Sequence, residues 1–416
     1  MTEAQTDRRS FLLSSAALAM AGASRDDEPV RVAVVGTGGR GCDLIRALST
    51  IDNAEIVAVC DDYTPHLDRG QNYAGPKARA FTSLSKMLVE TRPAALIVAT
   101  PLDRHFGMAR EAIESGIAVF CEKTMCHTID QARELAGIVK AHQGIFQLGL
   151  QRRANAIYRQ AEAMVESGML GAISAIDCRW HRHNNWRRPV PVPRDDQRWP
   201  GLDRRLNWRL FRESSQGLMS ELAAHQMDVA NRLLGGPPVR VLGSGGIDYW
   251  RDGREVFDNV HCLYEYEVGS GLEKRTVRVT YSSIQNNAYE GASELILGTK
   301  GTLLLTQSKG LFYKEAGVDD PNWSAREGRV ERDASIITSG KTLKLSNDPW
   351  AHRGKPFEIE ANGDDTRAEL VDFIDHVRRK DPATICDARD GLINAATVLI
   401  GNQAMVERKT IEFPLI

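Results

Sequence analysis

The 416-residue chain has no apolar run of about 18 residues, so a membrane-spanning helix is not expected, and no membrane partner with it. It also lacks an excess of either charge: 53 Lys plus Arg stand against 55 Asp plus Glu, for a net charge of −2. A general nucleic-acid binder usually carries a basic surplus, so nucleic acid is disfavoured as a partner. There is no CxxC pair among seven scattered cysteines. Cys42, Cys60, Cys121, Cys178 and Cys262 lie in or beside apolar segments, where a free thiol behaves as a small buried hydrophobe. Neither a disulfide framework nor a metal site is read from them. What remains is a composition close to the globular average, 42% hydrophobic and 26% charged, with length for two or three domains.

The first residues are not fold material. Arg8-Arg9 precedes an apolar stretch from Phe11 to Ala21, and Ala21-Gly22-Ala23 offers a small-residue cleavage site. Residues 1–23 therefore read as a twin-arginine export signal, although Asp7 and Leu13 depart from the commonest flanking residues. Residues 24–29 read as a solvated linker. The expected location of the mature protein is periplasmic or otherwise extracytoplasmic. Such export carries folded proteins, which suits a chain without disulfides.

Val30 to Val35 is a short β-branched run that enters Gly36-Thr37-Gly38-Gly39-Arg40-Gly41, followed by a helical pattern. A GxGxxG between strand and helix has a mechanism. Gly36 permits the tight turn, Gly38 and Gly39 let backbone approach a pyrophosphate, and Gly41 allows close helix–strand packing. The helix N-terminus then faces the phosphates. A second strand ends at Asp61, an acid placed to accept hydrogen bonds from both ribose hydroxyls. It would repel a 2′-phosphate, so NAD is favoured over NADP, although Arg40 could pair with such a phosphate. Further strands at 94–101, 117–121 and 145–150 alternate with helices, which implies an α/β, doubly wound parallel sheet over residues 30–152. Asp103 is expected to cap the helix that starts at Phe106. Ligands bind at the carboxyl ends of such strands, which brings Thr100, Pro101, His105, Glu122, Lys123 and Gln151 to one crevice.

These residues resemble the Gfo/Idh/MocA oxidoreductases. The resemblance rests on GTGGRG, the strand ending in Asp61, ATP at 99–101, CEKT at 121–124 and QLGLQRR at 147–153. It continues through Asn207-Trp208-Arg209, the helix bearing His225, and LILGTKG at 295–301. It implies an N-terminal Rossmann domain and, over residues 153–416, a C-terminal α+β domain. The strands in 173–306 follow one another without helices between them, so an open, largely antiparallel sheet is expected, with a closing helical region at 365–379 and 389–406. Thr124 stands where the family usually has proline after Glu-Lys, which puts the placement of Lys123 in question. A homo-oligomer, dimer or tetramer, is a further implication.

The most informative helix is expected from Gly217 to Leu234. Glu221 and His225 are four apart and would share one face, so a carboxylate could hold the imidazole in one tautomer. The resemblance makes them a catalytic pair: His225 as general base on a sugar hydroxyl, Glu221 as its orienter, and Lys123 as stabiliser of the developing alkoxide. Residues 179–212 hold four of the seven Trp and ten Arg. That segment reads either as a patch pairing with acids of a second subunit or, as the resemblance favours, as a substrate-side loop. On the second reading Arg152, His181, Asn184, Trp186, Arg187, Trp208, Arg209 and His225 meet a small-molecule carbohydrate. Its arginines allow an anionic sugar without requiring one.

Three functions fit this sequence. The first is NAD-dependent hydride transfer to or from a carbohydrate hydroxyl carbon, with tightly held cofactor. The second is an NAD-dependent glycosidase working through transient oxidation, elimination and re-reduction, which an exported enzyme could run without cofactor exchange. The third is a non-catalytic binding protein on this fold.

Overall fold

A computed structural model describes residues 28–315, 356–359 and 363–416; the twin-arginine segment and most of residues 316–362 lie outside the described residues. The first half alternates strand and helix: β1 (Val30–Val35), α1 (Gly39–Leu48), β2 (Ala54–Cys60), α2 (Thr64–Ala74), β3 (Arg79–Phe81), α3 (Leu84–Thr91), β4 (Ala95–Val98), α4 (His105–Glu114), β5 (Ala118–Glu122), α5 (Ile129–Ala141) and β6 (Phe146–Gly149). The strands pair in parallel in the order β3-β2-β1-β4-β5-β6. The apolar runs are continuous because both sheet faces are covered. Val32, Val34 and Ile97 pack into one core, whereas Ala33, Val35 and Val98 pack into the other. The strand order reverses between β1 and β4, and that switch point opens the crevice. Asp103 does not cap α4: a 3₁₀ turn over Leu102–Arg104 comes first, and Arg104 takes the cap position without a side-chain bond.

The second half runs α6 (Ala156–Glu166), β7 (Ile173–His183), α7 (Trp199–Leu206), a π-helical turn (Met219–Ala223), α8 (Ala224–Leu233) and β8 (Arg240–Gly246). It continues through β9 (Asn259–Val268), β10 (Arg275–Ile284), β11 (Asn286–Gly298), β12 (Gly301–Leu305), β13 (Gly310–Lys314) and β14 (Phe357–Ile359). It ends with α9 (Asp365–Arg379), α10 (Ala388–Glu407) and β15 (Ile411–Glu412). The sheet order is β14-β13-β12-β11-β7-β10-β9-β8-β15, antiparallel throughout except for the β7–β10 pair. Late in the sequence the chain returns to the first sheet. Leu370, Phe373 and Ile374 of α9 are fully buried in the same core as Val32 and Val34, with the Phe373 ring 5.8 Å from that of Phe120.

The glycine turn is built as its pattern requires. Gly36 has φ +86°, and a Cβ there would meet the Ala99 carbonyl oxygen at 2.5 Å. A Cβ on Gly41 would stand 1.8 Å from the Gly36 oxygen, so α1 approaches the turn closer than any side chain permits. Gly41→Ala is therefore expected to cost about 2–3 kcal/mol and to weaken dinucleotide binding together with stability. A chemical-denaturation midpoint and an NAD titration check both; unchanged values would refute the packing role.

Candidate active site

A cavity of about 730 Å³ lies along the carboxyl ends of the first sheet. Gly36, Gly38 and Gly39 form its floor, and α1 begins there with no side chain capping its N-terminus. Its free N–H groups and positive dipole end therefore face the cavity. At the end of β2 the Asp61 carboxylate is fixed by backbone donors: Thr37 N–H at 2.8 Å and Tyr63 N–H at 2.9 Å. Thr100 and Pro101 line the same wall, and the buried Thr100 hydroxyl has no partner among the described residues. This set fits a dinucleotide: a backbone cradle for the pyrophosphate, a fixed acid for a ribose, and an unpaired hydroxyl between them.

The far wall comes from the second half of the chain. Helix α7 supplies Arg205, which donates to the Asp62 carboxylate at 3.1 Å across the crevice. Arg104 donates to the same carboxylate from its other side at 3.0 Å. Arg188 reaches over the glycine turn, its guanidinium 3.7 Å from where a Cβ on Gly39 would stand.

Lys123, Glu221 and His225 meet at the inner end. Lys123 follows directly on β5, and its Nζ donates to the Glu221 carbonyl oxygen at 2.8 Å. Thr124 ties the same loop to the π turn by donating to the Ser220 carbonyl at 2.9 Å, so the lysine is held although proline is absent. The Lys123–Thr124 peptide bond is cis. Burial pushes the Lys123 ammonium below its ordinary value despite the nearby Glu221 and Glu122 carboxylates. His225 is 7% exposed, and its Nδ1 is buried without a partner among the described residues. Burial first, then the positive charge of Lys123, Arg152 and Arg40, holds its pKa well below 6.5. The imidazole is thus neutral at neutral pH, the form that accepts a proton.

The two shifts have opposite consequences for rate. Activity should rise as pH climbs through the depressed His225 value below 6.5, where the base becomes available. It should fall again below pH 10.5, as Lys123 gives up its charge earlier than a free lysine. A pH profile of kcat/KM with both limbs is the expected outcome; a profile with no acid limb below pH 6.5 would contradict the first assignment, and one with no alkaline limb below pH 10.5 the second.

Several predicted site residues have other partners than expected, and His105 and Arg152 lie off the cavity. Glu221 does not orient His225. The π turn at Met219–Ala223 changes the angular spacing, so residues four apart no longer stack as they do in an α-helix. The Glu221 carboxylate instead accepts from Arg209 Nε at 2.8 Å and lies 3.9 Å from Lys123 Nζ. Arg40 is not available to a phosphate: it donates to Glu122 at 2.6 Å, to Glu369 at 2.9 Å and to Thr366. Burial alone would raise the Glu122 pKa, but Arg40 and Lys123 hold it low. His105 lies beneath the cavity wall, its ring nitrogens facing the Thr124 and Thr100 carbonyls at 2.9 and 3.0 Å. Burial pushes its pKa down. Arg152 is buried in an ion pair with Glu294, beside a Tyr158 hydroxyl that donates to the same carboxylate, and does not reach substrate space. Gln151 lines the cavity with its amide nitrogen committed to Asp365 at 3.1 Å.

A second cavity of about 450 Å³ adjoins Lys123 and Glu221. Asn184, Trp186 and Arg187 line it as predicted, while Trp208 and Arg209 line the larger one. His181 points away from it, its ring facing the Ser282 hydroxyl and the Tyr289 carbonyl. Trp180 and Arg182 line the cavity instead. The signal was the period-two alternation of β7: positions 180, 182 and 184 share the inward face, and 181 and 183 the other. Among the described residues no cluster of His, Cys, Asp or Glu could hold a metal ion, and all seven cysteines are buried and unpaired.

A glycine-floored dinucleotide crevice, with a lysine from the end of β5 and a histidine from α8 lining the same cavity, defines a nucleotide-dependent oxidoreductase architecture. Comparison with known proteins agrees. Residues 30–150 match the Gfo/Idh/MocA model described as an oxidoreductase family with NAD-binding Rossmann fold, and residues 162–413 match that family's C-terminal alpha/beta domain. The chain belongs to this family. The 2,7-anhydro-N-acetylneuraminate hydratase of Mediterraneibacter gnavus is 29% identical over 218 residues, 52% of each chain. Inositol 2-dehydrogenase 3 of Saccharopolyspora erythraea is 34% identical over 152 residues, 36% of this chain and 44% of that protein. The chain thus spans about half the length of the curated relatives it matches. Among solved structures, the WlbA dehydrogenase from Bordetella pertussis with NADH and UDP-GlcNAcA superposes with TM-score 0.69 at 22% identity, over 94% of this chain and 99% of that one. Levoglucosan dehydrogenase with NADH and levoglucosan does so with TM-score 0.70 at 16% identity, over 93% and 100%. These two likenesses speak to the fold.

Proposed function

We propose that this protein moves a hydride between a carbohydrate hydroxyl carbon and NAD. The observation that carries the reading is the neutral, buried His225 beside Lys123 at the inner end of the dinucleotide cavity. NAD, when bound, supplies the hydride acceptor. The glycine turn, the N-terminus of α1 and Arg188 would hold its phosphates, and Asp61 would hold a ribose and disfavour a 2′-phosphate. His225 takes the hydroxyl proton as the carbon is oxidised, and returns it in the reverse direction. The Lys123 ammonium donates to the same oxygen and stabilises its developing charge. Arg209 holds Glu221 in place, so the carboxylate serves as local counter-charge to Lys123 rather than as a partner of His225. Relatives named inositol dehydrogenases support a polyol or sugar as substrate.

A second reading is favoured by the relative named a hydratase, which matches over the same share of both chains. In it the same residues oxidise a ring carbon, eliminate the neighbouring substituent and reduce the product again, with no net change in NAD. One experiment separates the readings: incubate the protein with NAD and a panel of inositols, sugars and aryl glycosides, following absorbance at 340 nm and released aglycone together. Stoichiometric NADH without cleavage supports oxidoreduction; cleavage without NADH supports the cycle; neither, on any substrate, refutes the assignment.

Export completes the proposal. Arg8 and Arg9 ahead of the Phe11–Ala21 apolar stretch would direct a folded protein out of the cytoplasm. Arg8→Lys with Arg9→Lys should leave the uncleaved precursor in the cytoplasm, as read by fractionation and mass. Unchanged export of that double variant would remove the signal.

A further inference from the structure

The smaller cavity has an unbalanced charge. Its wall contains five cationic side chains and one carboxylate, Glu221. Three of the cations are already engaged: Arg187 on Asp203 and Asp252, Arg209 on Glu221, and Lys123 on the Glu221 carbonyl. Arg188 lines both cavities and stands over the glycine turn, where cofactor phosphates would sit. Arg182 is different. It lines the smaller cavity alone, and among the described residues no carboxylate lies within salt-bridge distance of it and no group accepts a hydrogen bond from it.

Its placement is nevertheless fixed. The guanidinium lies over two indoles, 5.6 Å from the Trp180 centroid and 5.5 Å from that of Trp186, in a partly buried position on the inward face of β7. Burial first, and then the neighbouring Arg209 cation, weaken its charged form, while Tyr281 and the Glu221 carboxylate on the same wall act the other way without pairing with it. A planar cation over aromatic faces, lining a cavity and paired directly with no carboxylate among the described residues, is an arrangement for a bidentate oxyanion. Five donors are present and none is used within the described chain.

We propose that the substrate is an anionic carbohydrate, a sugar bearing a carboxylate or phosphoryl oxyanion, and that Arg182, over Trp180 and Trp186, receives that group. The inference rests on the reading of this site as a carbohydrate oxidoreductase, and it adds the charge class of the substrate. The two indoles hold the guanidinium in place, and Arg182 fixes the charged end of the sugar. The hydroxyl to be oxidised is thereby presented to Lys123, which lines the same cavity, and to His225 beyond it.

The test is direct binding, independent of turnover. Tryptophan fluorescence of the full NAD-loaded protein is titrated with glucuronate, galacturonate, glucose 6-phosphate and glucose, and repeated with Arg182→Gln. The expected result is saturable binding of at least one of the anions, tighter than glucose by about tenfold or more, and lost in Arg182→Gln while glucose binding and the melting temperature are retained. Preference for a uronate identifies a carboxylate site; preference for the phosphate ester identifies a phosphoryl site. Equal affinity for glucose, unchanged anion affinity in Arg182→Gln, or no saturable anion binding each overturns the proposal. Arg182→Lys is the second variant: it keeps the charge without the fork and should retain binding at reduced affinity, whereas affinity as weak as in Arg182→Gln would show lost packing rather than lost recognition. Failure of the oxidoreductase reading looks different: intact anion binding with no change at 340 nm and no product.

Discussion

His225→Ala is expected to lower kcat by about a thousandfold while NAD affinity stays within twofold of the parent, the span that a positioned general base contributes. The ring is 7% exposed, faces the larger cavity and rests 5.6 Å from the Trp180 ring. Its neutral state follows from burial reinforced by three nearby cations, so no proton must be shed before it can act. Among the described residues, alanine removes the only imidazole at the inner end of that cavity, and neither Glu221 nor Lys123 can replace it. Glu221 is bound to Arg209, and Lys123 must stay charged to hold an oxyanion. His225→Asn keeps the size and some hydrogen bonding but should be nearly as slow, because an amide does not accept the proton. Initial rates of NADH formation with saturating sugar, beside an NAD titration, decide the matter; a variant with more than a tenth of parental kcat would remove His225 from the mechanism.

Lys123→Met is expected to cost about 10²–10³ in kcat, comparable to losing one charge-stabilising donor from a water-excluded site. Methionine keeps the length and apolar volume of the stem, so the loop after β5 should hold, with Thr124 still donating to Ser220. Two signatures distinguish lost chemistry from lost packing. The alkaline limb of the pH profile should vanish, since the depressed lysine no longer titrates, while the acid limb from His225 should persist at a higher pKa. The second shift follows because the Lys123 charge is one of those holding the imidazole neutral. Retention of the alkaline limb in Lys123→Met would assign it to another group.

The first sheet was legible because its signals are local. Strand, glycine turn and helix occupy consecutive residues, and Asp61 falls at a strand end whatever the rest of the chain does. Lys123 and His225 line the cavity expected for them, the first by its place after a parallel strand and the second through the family resemblance of its helix. The pairing of Glu221 with His225 was not, because the spacing argument assumes 3.6 residues per turn and the chain makes a π turn there. Arg40 and Arg152 were misread for another reason. Their partners lie 329 and 142 residues away, at Glu369 and Glu294, and no local pattern announces a buried acid so distant. The choice between His181 and Arg182 was within reach, since strand alternation alone separates them once one inward residue is known.

The return of α9 to the first sheet has a consequence for how the protein comes into being. Leu370, Phe373 and Ile374 close one face of the nucleotide-binding core, and Glu369 satisfies Arg40 while its carbonyl accepts from the buried Gln147 amide. A nascent chain that has left the ribosome only as far as residue 152 therefore carries an open apolar face and a polar pair lacking its third member. The core beneath the cofactor cleft is closed only once α9 is available to cover it.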